Sequence, residues 1–262
     1  MSARATDAIV LRHVRQGDTS HVVTLFTREH GKVAVLAKGS RKPGSRFGAG
    51  LDLFHLTHVQ YRERPGRDLV FLQSCDLRRA FTRLAEDVVA YAAAGVCAEL
   101  VDRLAPDGAP SEEIFDLLRE SFESLAETAP LPPDEVLRAV ALPVSFQLRL
   151  MDQLGIAPEL TGCVVCGDAE LSGSASISAR RGGLVCRRCR AAEGGRRLGP
   201  EGLALLRTAA FDTLAAGMTS PSPPSRGALL EARAALDAVL EYHHHGRPTA
   251  LRSRRFLDDL WK

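Results

Sequence analysis

Three observations predict a multi-domain protein with separate β and α parts. Five short β-rich runs crowd residues 7–77 with no helical period between them. From Phe81 onward the apolar residues recur at helical spacing. Four of the six cysteines fall in two Cys-x2-Cys pairs, Cys163–Cys166 and Cys186–Cys189, nineteen residues apart. Together they predict a small barrel at residues 1–80 and an all-α domain at 81–262, the latter interrupted by a finger-like insertion at about 158–198. A chain of 262 residues is long enough to bury cores for two such domains.

The strands are read in order. Ala8–Val14 is a β-rich run, broken by Gln16-Gly17-Asp18. His21–Phe26 is dense in β-branched residues, and Glu29-His30-Gly31 turns the chain into Lys32–Ala37. A glycine-rich basic loop, Lys38–Gly50, precedes a fourth run, Leu51–Tyr61. Arg62–Arg67 contains Pro65-Gly66 and reads as a hairpin connection into Asp68–Leu77. A five-stranded barrel of this size fits the OB-fold, a common nucleic-acid binder. Phe26, Phe54, Tyr61 and Phe71 are expected in its core. Phe47 is either a plug beneath the loop or a stacking ring.

The helices follow. Phe81, Leu84, Val88, Ala92, Val96, Leu100 and Leu104 form one stripe, stopped by Pro106-Asp107-Gly108. Ser111 caps a second helix with Glu112 and Glu113 in its first turn, where the helix dipole favours anions. A third follows Pro132-Pro133 to Gly155, with Pro143 expected to kink or divide it. Further helices are expected over 201–216, 227–245 and 253–260. His243-His244-His245 reads as a solvated helix end.

The cysteine spacing is that of a four-thiolate zinc site, because two residues between cysteines turn both sulfurs of a knuckle toward one ion. Four thiolates close the coordination shell, so Zn2+ here would be structural. Disulfides are not expected in a chain with neither a signal-peptide core nor a membrane span, which points to the cytoplasm.

The net charge of +2 conceals an asymmetry. Residues 1–80 hold 14 Lys and Arg against 7 Asp and Glu, whereas residues 81–150 hold 5 against 13. A basic barrel suggests a polyanion partner. Nucleotide-cradle, nucleophile-elbow and zinc-protease motifs are absent, and nothing pairs a nucleophile with a base, so an enzyme is not expected. The candidate DNA-binding cations are Lys38, Arg41, Lys42 and Arg46 on the glycine-rich loop, Arg12 and Arg15 near the first connection, and Arg62, Arg64 and Arg67 on the last hairpin. Such side chains hold a phosphate backbone by replacing its counterions. A nuclease and a zinc-ribbon transcription factor are the rival classes.

Three stretches carry a family resemblance. Ala8-Ile9-Val10-Leu11, Thr24–Lys32 and Ala37–Pro43 resemble the start of the RecO family of DNA repair proteins. Phe146–Met151, Leu154-Gly155, Pro158, Leu160, Cys163 and Cys166-Gly167 resemble its helix entering a zinc loop, and Leu251–Arg254 its closing helix. The resemblance implies an N-terminal OB-fold and a C-terminal helical domain with Zn2+ at Cys163, Cys166, Cys186 and Cys189. It implies binding of single- and double-stranded DNA, ATP-independent annealing of complementary strands, and loading of RecA with RecR onto gaps coated by single-strand binding protein (SSB). The family's basic loop matches Lys38, Arg41 and Lys42. The acidic SSB tail needs an apolar groove with a cation, for which Arg138 and Arg149 are candidates. A cytoplasmic, nucleoid-associated monomer is the expectation.

Overall fold

The computed structural model describes residues 3–62, 70–218, 222–244 and 250–260. By contact the chain forms two compact units, residues 1–86 with 94–129, and residues 87–93 with 130–262.

The first unit is built on a closed five-stranded barrel, β1 (Ala3–Gln16), β2 (Ser20–Thr27), β3 (Gly31–Ala37), β4 (Leu56–Arg62) and β5 (Val70–Arg79), in the order β1-β2-β3-β5-β4. Antiparallel ladders join all neighbours except β3 and β5, which run parallel through Val35–Val70 and Leu36–Phe71. β1 serves both β2 and β4, and its register shifts between Val10 and Arg12 as it passes from one to the other. The barrel is filled by Val10, Val23, Leu25, Val35, Val59, Tyr61 and Leu72.

The expected fourth strand from Leu51 is shorter than its apolar pattern. Gly48–Leu51 forms a 3-10 turn, and Phe54 adopts a left-handed φ of 72° before β4 begins at Leu56. Phe47 is 3% exposed and belongs to the barrel core, so the ring is a plug and not a stacking platform. Phe26, Phe54 and Tyr61 are buried, whereas Phe71 is half-buried.

Helix α1 (Val88–Leu104) starts seven residues later than the stripe suggests. Phe81 and Leu84 keep the apolar spacing because Thr82–Glu86 is a 3-10 turn. Asp87 then caps the helix, accepting from the Val89 and Ala90 amides at 2.9 Å. Ser111 caps α2 (Glu112–Thr128) through the Ile114 amide. In the first unit, α2 lays Phe122 against Phe54 and Phe81, with ring centres 5.2 and 5.9 Å apart.

The second unit packs α3 (Val136–Gln153), a small sheet of β6 (Ala175–Ser178), β7 (Gly183–Cys186) and β8 (Arg196–Leu198), and the helices α4 (Arg187–Glu193), α5 (Pro200–Phe211), α6 (Leu214–Met218), α7 (Arg226–His243) and α8 (Arg252–Leu260). Pro143 does not divide α3. The helix expected over 201–216 is two, because Asp212 is extended and the Thr213 hydroxyl accepts from the Ala216 amide to start a new one. His243 ends α7 and His244 follows as its cap, while His245 lies outside the described residues. A half-buried polar relay ties α3, α7 and α8 together: Arg254 donates to Asp237 and to Gln147, and Gln147 donates to Asp237.

Candidate nucleic-acid interface and metal centre

The barrel's cations divide into two groups. One is matched, within the first unit, by carboxylates of α1, α2 and the loop between them. Arg12 Nε is 3.0 Å from Asp102, Lys32 is 3.2 Å from Asp107, and Arg28 is 2.7 Å from Asp116. Arg79 meets Glu123. Arg28 also lies 4.5 Å above the Phe115 ring. Burial works against the Asp116 carboxylate, but Arg28 and then Arg119 hold its pKa below the usual carboxylate range. Part of the charge asymmetry is therefore an internal docking surface, and Arg12 belongs to it.

The other group gathers at one end of the barrel, and the ladders show why. Arg15 pairs with His21, and His21 with Ala37. One residue earlier on β3, Leu36 pairs with Phe71, which pairs with Arg62. Strands lie about 4.8 Å apart, so these residues form a continuous rim. The loop after β3 folds onto it. Arg41 donates to the carbonyls of Gly17 and Asp18 at 3.3 and 3.0 Å, its own amide to Thr19, and the Gly39 amide to Ser20. Gly39 and Gly44 have φ of 76° and 69°, which permits the tight path. Lys38, Arg41 and Lys42 are exposed on this loop, with Arg15 exposed beside it. Among the described residues none of these four has a carboxylate partner within an ion-pair distance. Arg46 is exposed too, but its guanidinium lies 4.9 Å over Phe47 and donates to the Leu72 carbonyl at 3.5 Å. Arg62 is exposed at the end of β4. Arg64 and Arg67 lie outside the described residues.

Sequence reasoning missed His21. Its ring stacks on His13 with centres 5.2 Å apart, and its Nδ1 is 3.1 Å from the Ser40 hydroxyl of the basic loop. A β-branched run gives no sign that one polar residue at its start faces a loop nineteen positions away. The acidic partners were also missed as partners, although the excess of carboxylates over 81–150 was visible.

In the second unit the sulfurs of Cys163, Cys166, Cys186 and Cys189 all lie within 4.8 Å of one another. A tetrahedron with metal–sulfur bonds of about 2.3 Å has edges of about 3.8 Å. The Cys166–Cys186 separation is 3.7 Å, so the four residues fit such an ion. The first knuckle is closed by the Gly167 amide donating to the Cys163 carbonyl at 2.8 Å, with Gly167 at φ 75°. The second straddles the end of β7 and the first turn of α4, for which Cys186 is the N-cap residue. Gly183 lets the two knuckles approach, since a Cβ there would stand 2.6 Å from Val164. Burial raises the Cys163 thiol, but amides of Cys186, Cys166 and Val165 outweigh it and bring its pKa to about 6. The Cys166 sulfur leads in pushing Cys189 up to about 12. The finger also carries Arg180, Arg181, Arg187, Arg188, Arg190, Arg196 and Arg197, of which Arg180 and Arg181 pair with Glu193 and Arg188 with Asp168.

The same unit holds a cavity of about 250 Å³ lined by Arg138, Leu142, Leu205, Leu214, Met218 and Pro223 among others. Arg138 is ion-paired with Glu135 at 2.5 Å. Arg149 is not on its wall and donates to the Ala209 carbonyl at 3.2 Å. Among the described residues no helix is long and apolar enough to cross a membrane.

Comparison with known proteins finds similarity along most of the chain. Models of the recombination protein O N-terminal and C-terminal families match residues 1–81 and 85–252. The DNA repair protein RecO of Anaeromyxobacter sp. (strain K) is 39% identical over 255 residues, spanning 96% of this chain and 94% of the relative. That of Exiguobacterium sibiricum is 35% identical over 256 residues, spanning 97% and 96%. That of Geobacter metallireducens is 34% identical over 245 residues, spanning 93% of each.

Proposed function

This chain belongs to the RecO family of DNA repair proteins, and from that premise we propose that it is a recombination mediator that binds and pairs DNA strands without changing a covalent bond. The observation that supports this reading best is the partition of the barrel's cations. Helices α1 and α2 and the loop between them neutralise one set, while Lys38, Arg41, Lys42 and Arg15 stand on one rim with no carboxylate in ion-pair distance among the described residues.

The proposed mechanism is electrostatic. A strand laid on the rim exchanges its condensed counterions for these side chains. With that charge neutralised, a complementary strand approaches against less repulsion and base pairing supplies the specificity. The loop is held by its own backbone and by Arg41, so the cations are positioned before the strand arrives. No ATP is needed, because pairing is downhill once repulsion falls. Single- and double-stranded DNA are both ligands on this reading, since phosphate is common to both. The partners would be RecR, and SSB through its acidic tail, with RecA loaded on the exposed strand. The cavity beside Arg138 is the candidate seat for that tail, being apolar with a cation at its wall. Cys163, Cys166, Cys186 and Cys189 would hold Zn2+, which fixes the finger and supplies no chemistry. A cytoplasmic monomer associated with the nucleoid completes the reading.

The test is the triple variant Lys38→Ala/Arg41→Ala/Lys42→Ala in the full chain. The slope of log affinity against log salt should fall by about 0.9 per lost duplex contact and about 0.7 per single-strand contact. Annealing of complementary oligonucleotides, with and without SSB, should slow in parallel. An unchanged slope excludes this rim.

A further inference from the structure

His21 stands in the middle of the rim without being one of its permanent cations. Its neighbours come from every element packed against it. His13 and Arg15 are on β1, Ala37 faces it from β3, and Ser40 and Arg41 are on the following loop. Among these groups no carboxylate faces it. The Asp18 side of the first turn supplies a carbonyl to Arg41. Nδ1 of His21 is engaged with Ser40, and among the described residues Nε2 has no partner. His13 beneath it is a different kind of group, with Nε2 at the Leu51 carbonyl.

We propose that His21 is a further phosphate-contacting residue of the rim, and that it binds a DNA strand as the imidazolium, with one proton taken up from solution. This deepens the reading that the rim holds DNA and rests on it. In the free protein burial, and after it the charges of Arg41 and Arg15, lower the pKa of His21. A phosphate on the rim offsets both guanidinium charges and adds a negative charge of its own. Each change favours the protonated ring. Nδ1–H then donates to Ser40, and Nε2–H is left to donate to a phosphate oxygen. His13 cannot take this role. Burial is foremost in lowering its pKa, with the nearby His21 adding to the effect against the Leu51 carbonyl and Asp52, so it serves as the flat support for the upper ring.

The sign of the linkage follows. The bound state holds a proton that the free state lacks, so affinity rises as pH falls through the window between the two pKa values. Full uptake of one proton changes affinity by up to about tenfold per pH unit inside that window. The salt slope should also be steeper at the lower pH, by about 0.7 on a single strand, for one added contact.

The experiment measures binding of a fluorescent single-stranded oligonucleotide by the full chain at about pH 8 and about pH 6, across a range of salt, for the native chain and His21→Gln. Expected are a roughly threefold to tenfold gain in affinity at the lower pH and a steeper slope in the native chain, both lost in His21→Gln. Thermal unfolding at both pH values shows whether the variant is folded. If it is not, calorimetry of the native chain in two buffers of different ionisation enthalpy reads the proton uptake directly. Zero uptake overturns the proposal. So does a His21→Gln variant that keeps the native pH dependence, which would assign the proton to another histidine. If the native chain binds at about pH 8, and the triple loop variant weakens it, but pH has no effect, this inference alone fails. If the native chain binds at neither pH, the reading of the rim fails with it.

Discussion

Gly31 shows how much a single residue decides in the first unit. It turns β2 into β3 at φ 64°, and a Cβ there would lie 2.3 Å from the Ala109 carbonyl oxygen. The neighbour is backbone, so it cannot swing away. Gly31→Ala should destabilise the folded chain by about 2–4 kcal/mol, combining a left-handed non-glycine with a forced main-chain shift. The check is the urea midpoint at constant slope. In Glu29-His30-Gly31 the turn was legible from sequence, but the reason only glycine fits was not, because Ala109 is far away along the chain. Phe47 teaches the reverse. Its place beside four cations left two readings open, a base-stacking ring or a plug, and the structure chooses the plug, because burying an aromatic is worth more than exposing one.

At the scale of elements, the candidate metal centre and the helices behave differently. The two knuckles were readable because metal ligation constrains spacing within each pair. The strands β6, β7 and β8 around them were not, since four-residue strands carry too little period to register. The Ala175–Cys186 pairing shows that the hairpin hands the third cysteine to its place. Cys186→Ser/Cys189→Ser should therefore abolish bound zinc and lower the melting temperature of the helical part. Metal content and calorimetry of the purified variant are the readouts, and native zinc content with native stability would refute the assignment. Helix starts were misread wherever a 3-10 turn kept the apolar spacing, as at Thr82–Glu86. Ser111 was read correctly because its cap is local, with donor and acceptor three residues apart.

For the whole molecule the charge distribution is the instructive feature. Read linearly, a basic segment followed by an acidic one suggests that all the basic residues await a partner. Folded, the two segments meet within one compact unit, and Arg12, Arg28, Lys32 and Arg79 find carboxylates there. Arg12 and Lys38 then differ in kind although both are exposed. Arg12→Ala should leave the salt slope of DNA binding unchanged within error, while Lys38→Ala lowers it by roughly one contact's worth. Comparing the two slopes in one buffer tests the partition directly. An Arg12→Ala slope as low as that of Lys38→Ala would return Arg12 to the interface.

By itself the sequence determined the barrel, the helical part, the two cysteine pairs that cluster and the loop bearing the cations. Each of these rests on interactions between residues close along the chain, such as strand alternation, helix period, knuckle spacing and turn chemistry. Only the tertiary structure decided which cations have no acidic partner among the described residues, that Phe47 is a plug, and that His21 and Ser40 join the rim. Those facts depend on which distant segments are brought within a few ångströms, and charge and burial act across space without regard to position in the chain.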